Sequence, residues 1–302
     1  MTARIGFVGL GNMGGRIARR LVDGGREVSG YDLSPSAAAQ AGAVAAGTIT
    51  EVVASSDVVF MSLPDSRVVE RVVLGEGGLA ESVRDGQVVV DLSTAAPEST
   101  RGIAARLAES GAAYLDAGVS GGAAAAEKGA LTLMIGGDAD ALAIVRPELE
   151  LFATQIFLIG PSGAGHTTKL LNNFLNAVAL AATAEVMVAA KAADLDLATV
   201  LDVFNVSSGV NFATLNRFPR IITGDYLEGG LSNSLMLKDV TLYVELLGQL
   251  GVASLNSAGP MASFGLARAL GYADSISNTV VDALGDISGG IRLADSRKEG
   301  QR

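Results

Sequence analysis

The stretch Ile5-Gly6-Phe7-Val8-Gly9-Leu10-Gly11-Asn12-Met13-Gly14 decides the fold. Residues 4–8 read as a short buried strand and residues 13–23 as an amphipathic helix, so the glycines stand at a strand-to-helix turn. Each has its own reason there. Gly9 permits the tight turn, Gly11 lets the backbone approach a pyrophosphate, and Gly14 allows close packing of helix on strand. The helix N-terminus adds amide donors and the positive end of its dipole. Asp32 follows eighteen residues after Gly14, just past a second strand at 27–31. A carboxylate there accepts from ribose hydroxyls and repels a 2′-phosphate. Leu33, Ser34 and Pro35 offer no arginine for such a phosphate. Gly9, Leu10, Gly11, Asn12, Met13, Gly14 and Asp32 are therefore read as a dinucleotide site that prefers NAD to NADP, although these residues alone leave FAD and simple nucleotide sensing open.

Outward from that turn, β-rich runs at 57–62, 87–91, 113–117 and 131–136 alternate with helical patterns such as 98–110, opened by Pro97. The alternation predicts βαβ units in a parallel, doubly wound, Rossmann-type sheet. Ser62-Leu63-Pro64 and Asp91-Leu92-Ser93-Thr94 fall at the C-terminal ends of strands, the edge where open α/β sheets bind ligands. A last strand at 155–159 precedes Gly160-Pro161-Ser162-Gly163, beyond which the pattern is helical, beginning with one long helix over about 165–193. The expected organisation is α/β: a dinucleotide-binding domain at 1–162, then an all-α domain at 163–302 built around a long interdomain helix, with a polar, frayed tail at 295–302.

Composition narrows the chemistry. The net charge of −10 is spread without a basic run, and aromatic residues make up only 5%, which argues against nucleic-acid binding. With no cysteine and a single histidine, His166, there is no thiolate, disulfide or multi-histidine metal site, and no metal is expected. The N-terminus lacks the pattern of a secretory signal, and the apolar run 170–184 reads as too short and too interrupted by asparagine to cross a bilayer. A cytoplasmic protein without a membrane segment is expected.

Two common hydride-transfer arrangements are absent by counting. None of the five tyrosines has a lysine four positions on, and zinc ligands are missing. Lys169 is the best proton carrier. With Asn172, Asn173 and Asn176 it forms a polar stripe at i+3, i+4 and i+7 on an otherwise apolar helix. A lysine in the first helical turn also opposes the dipole, which with desolvation is expected to lower its pKa. Asn173 stands ready to hold the ammonium or a substrate hydroxyl. The competing reading is a lysine that reaches solvent from a hinge while the asparagines bridge helices. Ser120, Gly121 and Gly122 offer a hydroxyl and successive open amides, a cradle for a carboxylate, against the simpler reading of a flexible turn. His166 is assigned to a turn or cap in preference to substrate contact.

The sequence resembles the β-hydroxyacid dehydrogenase family over nearly its whole length. The resemblance rests on Gly9 to Gly14, on Asp116-Ala117-Gly118-Val119-Ser120-Gly121-Gly122, on Gly163-Ala164-Gly165 through Lys169 to Asn172-Asn173, and on Lys238-Asp239. It implies proton transfer by Lys169 assisted by Asn173, substrate carboxylate binding at Ser120 to Gly122, and cofactor contacts from Thr94 and Lys238. It further implies a small carboxylate-bearing substrate, a 3-hydroxy acid of the 3-hydroxyisobutyrate kind, and a homodimer or homotetramer joined through the helical domain. A semialdehyde or glyoxylate reductase of the same family is the nearest alternative, and a non-catalytic NAD-binding module is a more distant one. The related imine reductases lack this lysine. The family usually has proline where this chain has Gly118, so a looser or reshaped loop before Ser120 is expected.

Overall fold

Short, nearly continuous apolar runs build the sheet, and the strand period of two sends neighbours to opposite faces. In the computed structural model, which describes residues 3–227 and 230–294, Phe7, Val58, Phe60, Val88 and Val90 join one buried cluster. Their neighbours Val8, Val59, Met61 and Val89 join a second. Both faces are thus covered by helices, as a doubly wound sheet requires. The expected tail at 295–302 lies outside the described residues.

The strands are β1 (Ile5–Val8), β2 (Val28–Tyr31), β3 (Val44–Ala45), β4 (Val58–Met61), β5 (Val88–Asp91), β6 (Ala113–Ser120), β7 (Leu131–Gly136) and β8 (Ala153–Gly160), in the order β3-β2-β1-β4-β5-β6-β7-β8. The sheet departs from the expected all-parallel arrangement at one place: β7 runs antiparallel to β6, with Gly118 opposite Met134 and Ser120 opposite Thr132. Connection length explains it. Only residues 121–130 join β6 to β7, fewer than the dozen or more a parallel crossover needs, whereas 137–152 suffice for β8 to run parallel to β7. Two-residue β3 escapes any periodicity argument.

Two compact units divide the chain, Met1–Leu170 and Leu171–Arg302. By contacts the division falls inside the long helix Ala164–Ala192, because the first turns of that helix pack on the sheet. Within the second unit, Phe174, Ala177, Leu180, Ala181, Ala184, Met187 and Val188 recur at helical spacing and build a core with Met236, Val240, Phe264 and Val280. All of its described elements are helical. At 29 residues the long helix exceeds the apolar run read from sequence and is long and apolar enough to cross a membrane. Yet 56% of its most apolar window is buried within the fold, as in the core helix of a globular domain.

Candidate active site

The three glycines of the first turn differ in what forces them. Gly9 has φ +88°, and a Cβ there would stand 2.4 Å from the Ser62 carbonyl oxygen; one on Gly14 would stand 2.0 Å from that of Gly9. Packing within the chain therefore demands both. At Gly11 a Cβ would meet nothing within 4 Å. The protein itself leaves that space open, at the N-terminus of helix Asn12–Asp23, which has no side-chain cap. An open cradle with unclaimed amides fits a pyrophosphate. The Asp32 carboxylate accepts from the Leu10 amide (2.7 Å) and the Ser34 amide (2.8 Å), so it braces the glycine turn as well as standing at the end of β2. Asn12 receives a hydrogen bond from Arg16, and Met13 packs its side chain against the sheet core.

A chain of buried hydrogen bonds sets the neighbouring loops. Tyr114 on β6 donates to Asp91 Oδ2 (2.7 Å), Asp91 Oδ1 accepts from the Ser93 amide (2.9 Å), and Ser93 Oγ accepts from the Leu63 amide (2.9 Å). Burial, with the Asp91 charge, pushes the Tyr114 phenol well above its ordinary pKa, so it remains a donor at any physiological pH. The loops after β4 and β5, which carry Ser62, Leu63, Pro64 and Thr94, are thereby fixed to one another. Ser62, Leu63 and Thr94 are half-buried and Pro64 is exposed.

The long helix is bolted to β6 by one carboxylate. Asp116, fully buried, accepts from the Gly163 amide (2.7 Å) and the His166 amide (2.8 Å). His166 lies inside the helix, not in a turn before it. Its Nδ1 meets Thr100 Oγ1 at 2.7 Å, and its ring is wholly buried. The helix starts at Ala164, so Lys169 stands in the second turn, not the first, where the dipole effect expected from sequence has largely faded. What distinguishes Lys169 is burial: only 7% of it is exposed.

Gly118 lies within β6, paired across to β7, so the expected loosened loop is instead regular strand. A Cβ on Gly118 would stand 2.6 Å from the Lys169 Cβ and 3.2 Å from the Gly165 carbonyl oxygen. The missing side chain is what lets the strand back directly onto the lysine stem. Two residues on, Ser120 ends the strand and is half-buried, and Gly121 and Gly122 turn away with φ +122° and +70°. Gly118→Pro, although it restores the residue usual in the family, is expected to push the lysine stem aside and lower kcat by roughly 10²-fold, the scale of an ångström misplacement. Steady-state kinetics beside dinucleotide titration checks this; unchanged kcat contradicts it.

In the helical unit the Asn173 amide nitrogen donates to Asp239 Oδ2 (2.5 Å), and Lys238 Nζ lies 3.2 Å from Asp239 Oδ1. Asp239 and Asn173 are buried, at 1% and 4% exposure, which orients the asparagine oxygen away from the carboxylate. In the sequence, Asp116 and Asp239 stand out only as parts of motifs. A lone Asp carries no signal of its hydrogen-bond partners when they lie 47 to 66 residues away. Asn172, expected on the polar stripe, is exposed.

Comparison with known proteins agrees with this geometry. Residues 4–160 match the family described as the NAD binding domain of 6-phosphogluconate dehydrogenase, and residues 163–284 match the one described as the NAD-binding domain of NADP-dependent 3-hydroxyisobutyrate dehydrogenase. NAD-dependent L-serine dehydrogenase of Pseudomonas aeruginosa is 39% identical over 87% of this chain and 90% of its own.

The chain belongs to the β-hydroxyacid dehydrogenase family.

Among the β-hydroxyacid dehydrogenases, 2-(hydroxymethyl)glutarate dehydrogenase of Eubacterium barkeri is 36% identical over 80% of this chain and 81% of its own. The solved structure of Mycobacterium tuberculosis 3-hydroxyisobutyrate dehydrogenase with L-serine superposes with a TM-score of 0.83 at 31% identity, covering 94% of this chain and 99% of that one. This β-hydroxyacid dehydrogenase is therefore an oxidoreductase of hydroxy acids that uses a nicotinamide dinucleotide.

Proposed function

We propose that the protein oxidises a small 3-hydroxy acid of the 3-hydroxyisobutyrate or L-serine kind, with NAD as the preferred cofactor and Lys169 as the proton carrier. One observation carries the reading: a lysine 7% exposed on a helix pinned to the sheet by a buried carboxylate. A lysine is buried at such expense only for a reason, and a module that merely binds NAD has none.

The substrate carboxylate rests on the Ser120 hydroxyl and the Gly121 and Gly122 amides, and its hydroxyl lies against Lys169 Nζ. Neutral Lys169 takes the hydroxyl proton during oxidation, and its ammonium returns a proton to the carbonyl oxygen in the reverse reduction. Asn173, four residues beyond Lys169 on the same helix, has its amide nitrogen held by Asp239 and is the assisting residue. The dinucleotide, held by Gly9 to Gly14, Asp32, Ser62 to Pro64 and Thr94, supplies the hydride acceptor. A semialdehyde reductase would use the same residues in reverse.

Preference for NAD is supported by Asp32 and by the arginines of the first helix, which are already engaged: Arg16 Nε donates to Glu127 Oε1 (2.7 Å) and Arg19 to the Gln40 carbonyl (2.6 Å). Asp32→Arg is expected to weaken NAD binding at least tenfold, by losing two ribose contacts and the brace on Leu10, and to narrow the gap to NADP. Calorimetry with both dinucleotides checks this; undiminished NAD affinity refutes the assignment. Work in the cytoplasm suits a chain without cysteine. Homo-oligomerisation through the helical unit is supported by an apolar groove there, lined by Val186, Leu195, Val203 and Phe204.

NADH formation with a panel of 3-hydroxy acids tests the whole reading. Turnover on one member identifies the substrate group, and no turnover with NAD still bound removes the catalytic assignment.

A further inference from the structure

Arg217, in the helical unit, differs from the other arginines. Its guanidinium donates to Asn278 Oδ1 (2.7 Å) and Asn176 Oδ1 (3.0 Å) and lies 5.7 Å from the centroid of the Phe212 ring. All three neighbours are neutral. No carboxylate lies within 4.0 Å of the guanidinium among the described residues. Burial pulls its pKa down to about 10, the sign of a cation that has lost water without gaining a counter-charge.

The arrangement is built, not incidental. Asn278 is buried and gives its own amide nitrogen to the Tyr226 carbonyl (2.8 Å), which fixes its oxygen toward the guanidinium. Asn176 stands three residues beyond Asn173 on the same face of the long helix. The two asparagines claim one donor on each terminal nitrogen, leaving Nε–H and two further N–H groups in the planar fork that grips a carboxylate bidentately. Phe212, whose ring lies beside the guanidinium, is 58% exposed.

We propose that Arg217, oriented by Asn176 and Asn278, is a carboxylate-binding site of the helical unit. The carboxylate is that of a small organic acid bound by the helical unit itself. An amide-held guanidinium also serves as a mere clamp between helices, and the test separates the two.

Glutarate is titrated calorimetrically into the intact protein, wild type, Arg217→Gln and Arg217→Lys, with thermal melting of each as a folding control. Glutarate affinity is expected to fall about tenfold or more in Arg217→Gln, with partial retention in the lysine variant, which keeps the charge without the fork. Glutarate affinity equal in all three proteins, or absent from the wild type, overturns the proposal and leaves the clamp.

Discussion

Lys169→Ala is expected to lower kcat by about 10²–10⁴-fold, the usual worth of a positioned acid/base, with NAD affinity little changed. The separation of the two effects follows from geometry. The pyrophosphate cradle at Gly11 and the brace from Asp32 to Leu10 involve no atom of Lys169. Removing the side chain is therefore expected to subtract the proposed proton carrier and to leave the glycine turn standing. Lys169→Arg sharpens the test, because a guanidinium keeps the charge but cannot shed a proton at neutral pH. It should be nearly as slow as the alanine variant. Near-normal turnover in either would remove the lysine from the mechanism, and a simultaneous collapse of NAD binding would mark it as structural.

The second large effect is expected at Asp116, a residue that touches no reacting atom. Asp116→Ala leaves the Gly163 and His166 amides without acceptors in a fully buried position. Two hydrogen bonds to a charged acceptor make the loss about 3–5 kcal/mol. Melting followed by circular dichroism should shift downward by roughly 6–20 °C for a unit of this size. Because those amides open the helix that carries Lys169, activity at temperatures below the transition should fall too. A variant that melts like the wild type would show that the helix is anchored elsewhere. One that melts early but keeps full kcat would show that the lysine needs no such anchor.

Much of the site is legible in the sequence because its chemistry is local. A glycine turn between strand and helix, an acidic residue after the second strand, and a lysine with asparagines at helical spacing are all patterns within a few residues, or one βαβ unit, of each other. Backbone sterics and period-two or period-3.6 burial write them directly into the order of residues. The all-helical second unit follows for the same reason, from a long run of strong helix formers with few breakers.

What only the tertiary structure decided involves residues far apart in the chain. No pattern in sequence names the Ser62 carbonyl oxygen as the atom that a side chain at position 9 would strike. Nor does any say that Gly118 supplies room for the Lys169 stem, a contact across 51 residues. The reversal of β7 was in principle countable, since the β6–β7 connection is short, but only once the strand ends were known. Asp116 and Asp239 look like any other aspartates until folding brings their partners within 2.5–2.8 Å. Local sterics are encoded residue by residue, whereas partnership between buried polar groups is created by the packing itself, because only there does the loss of water make each group's partner matter.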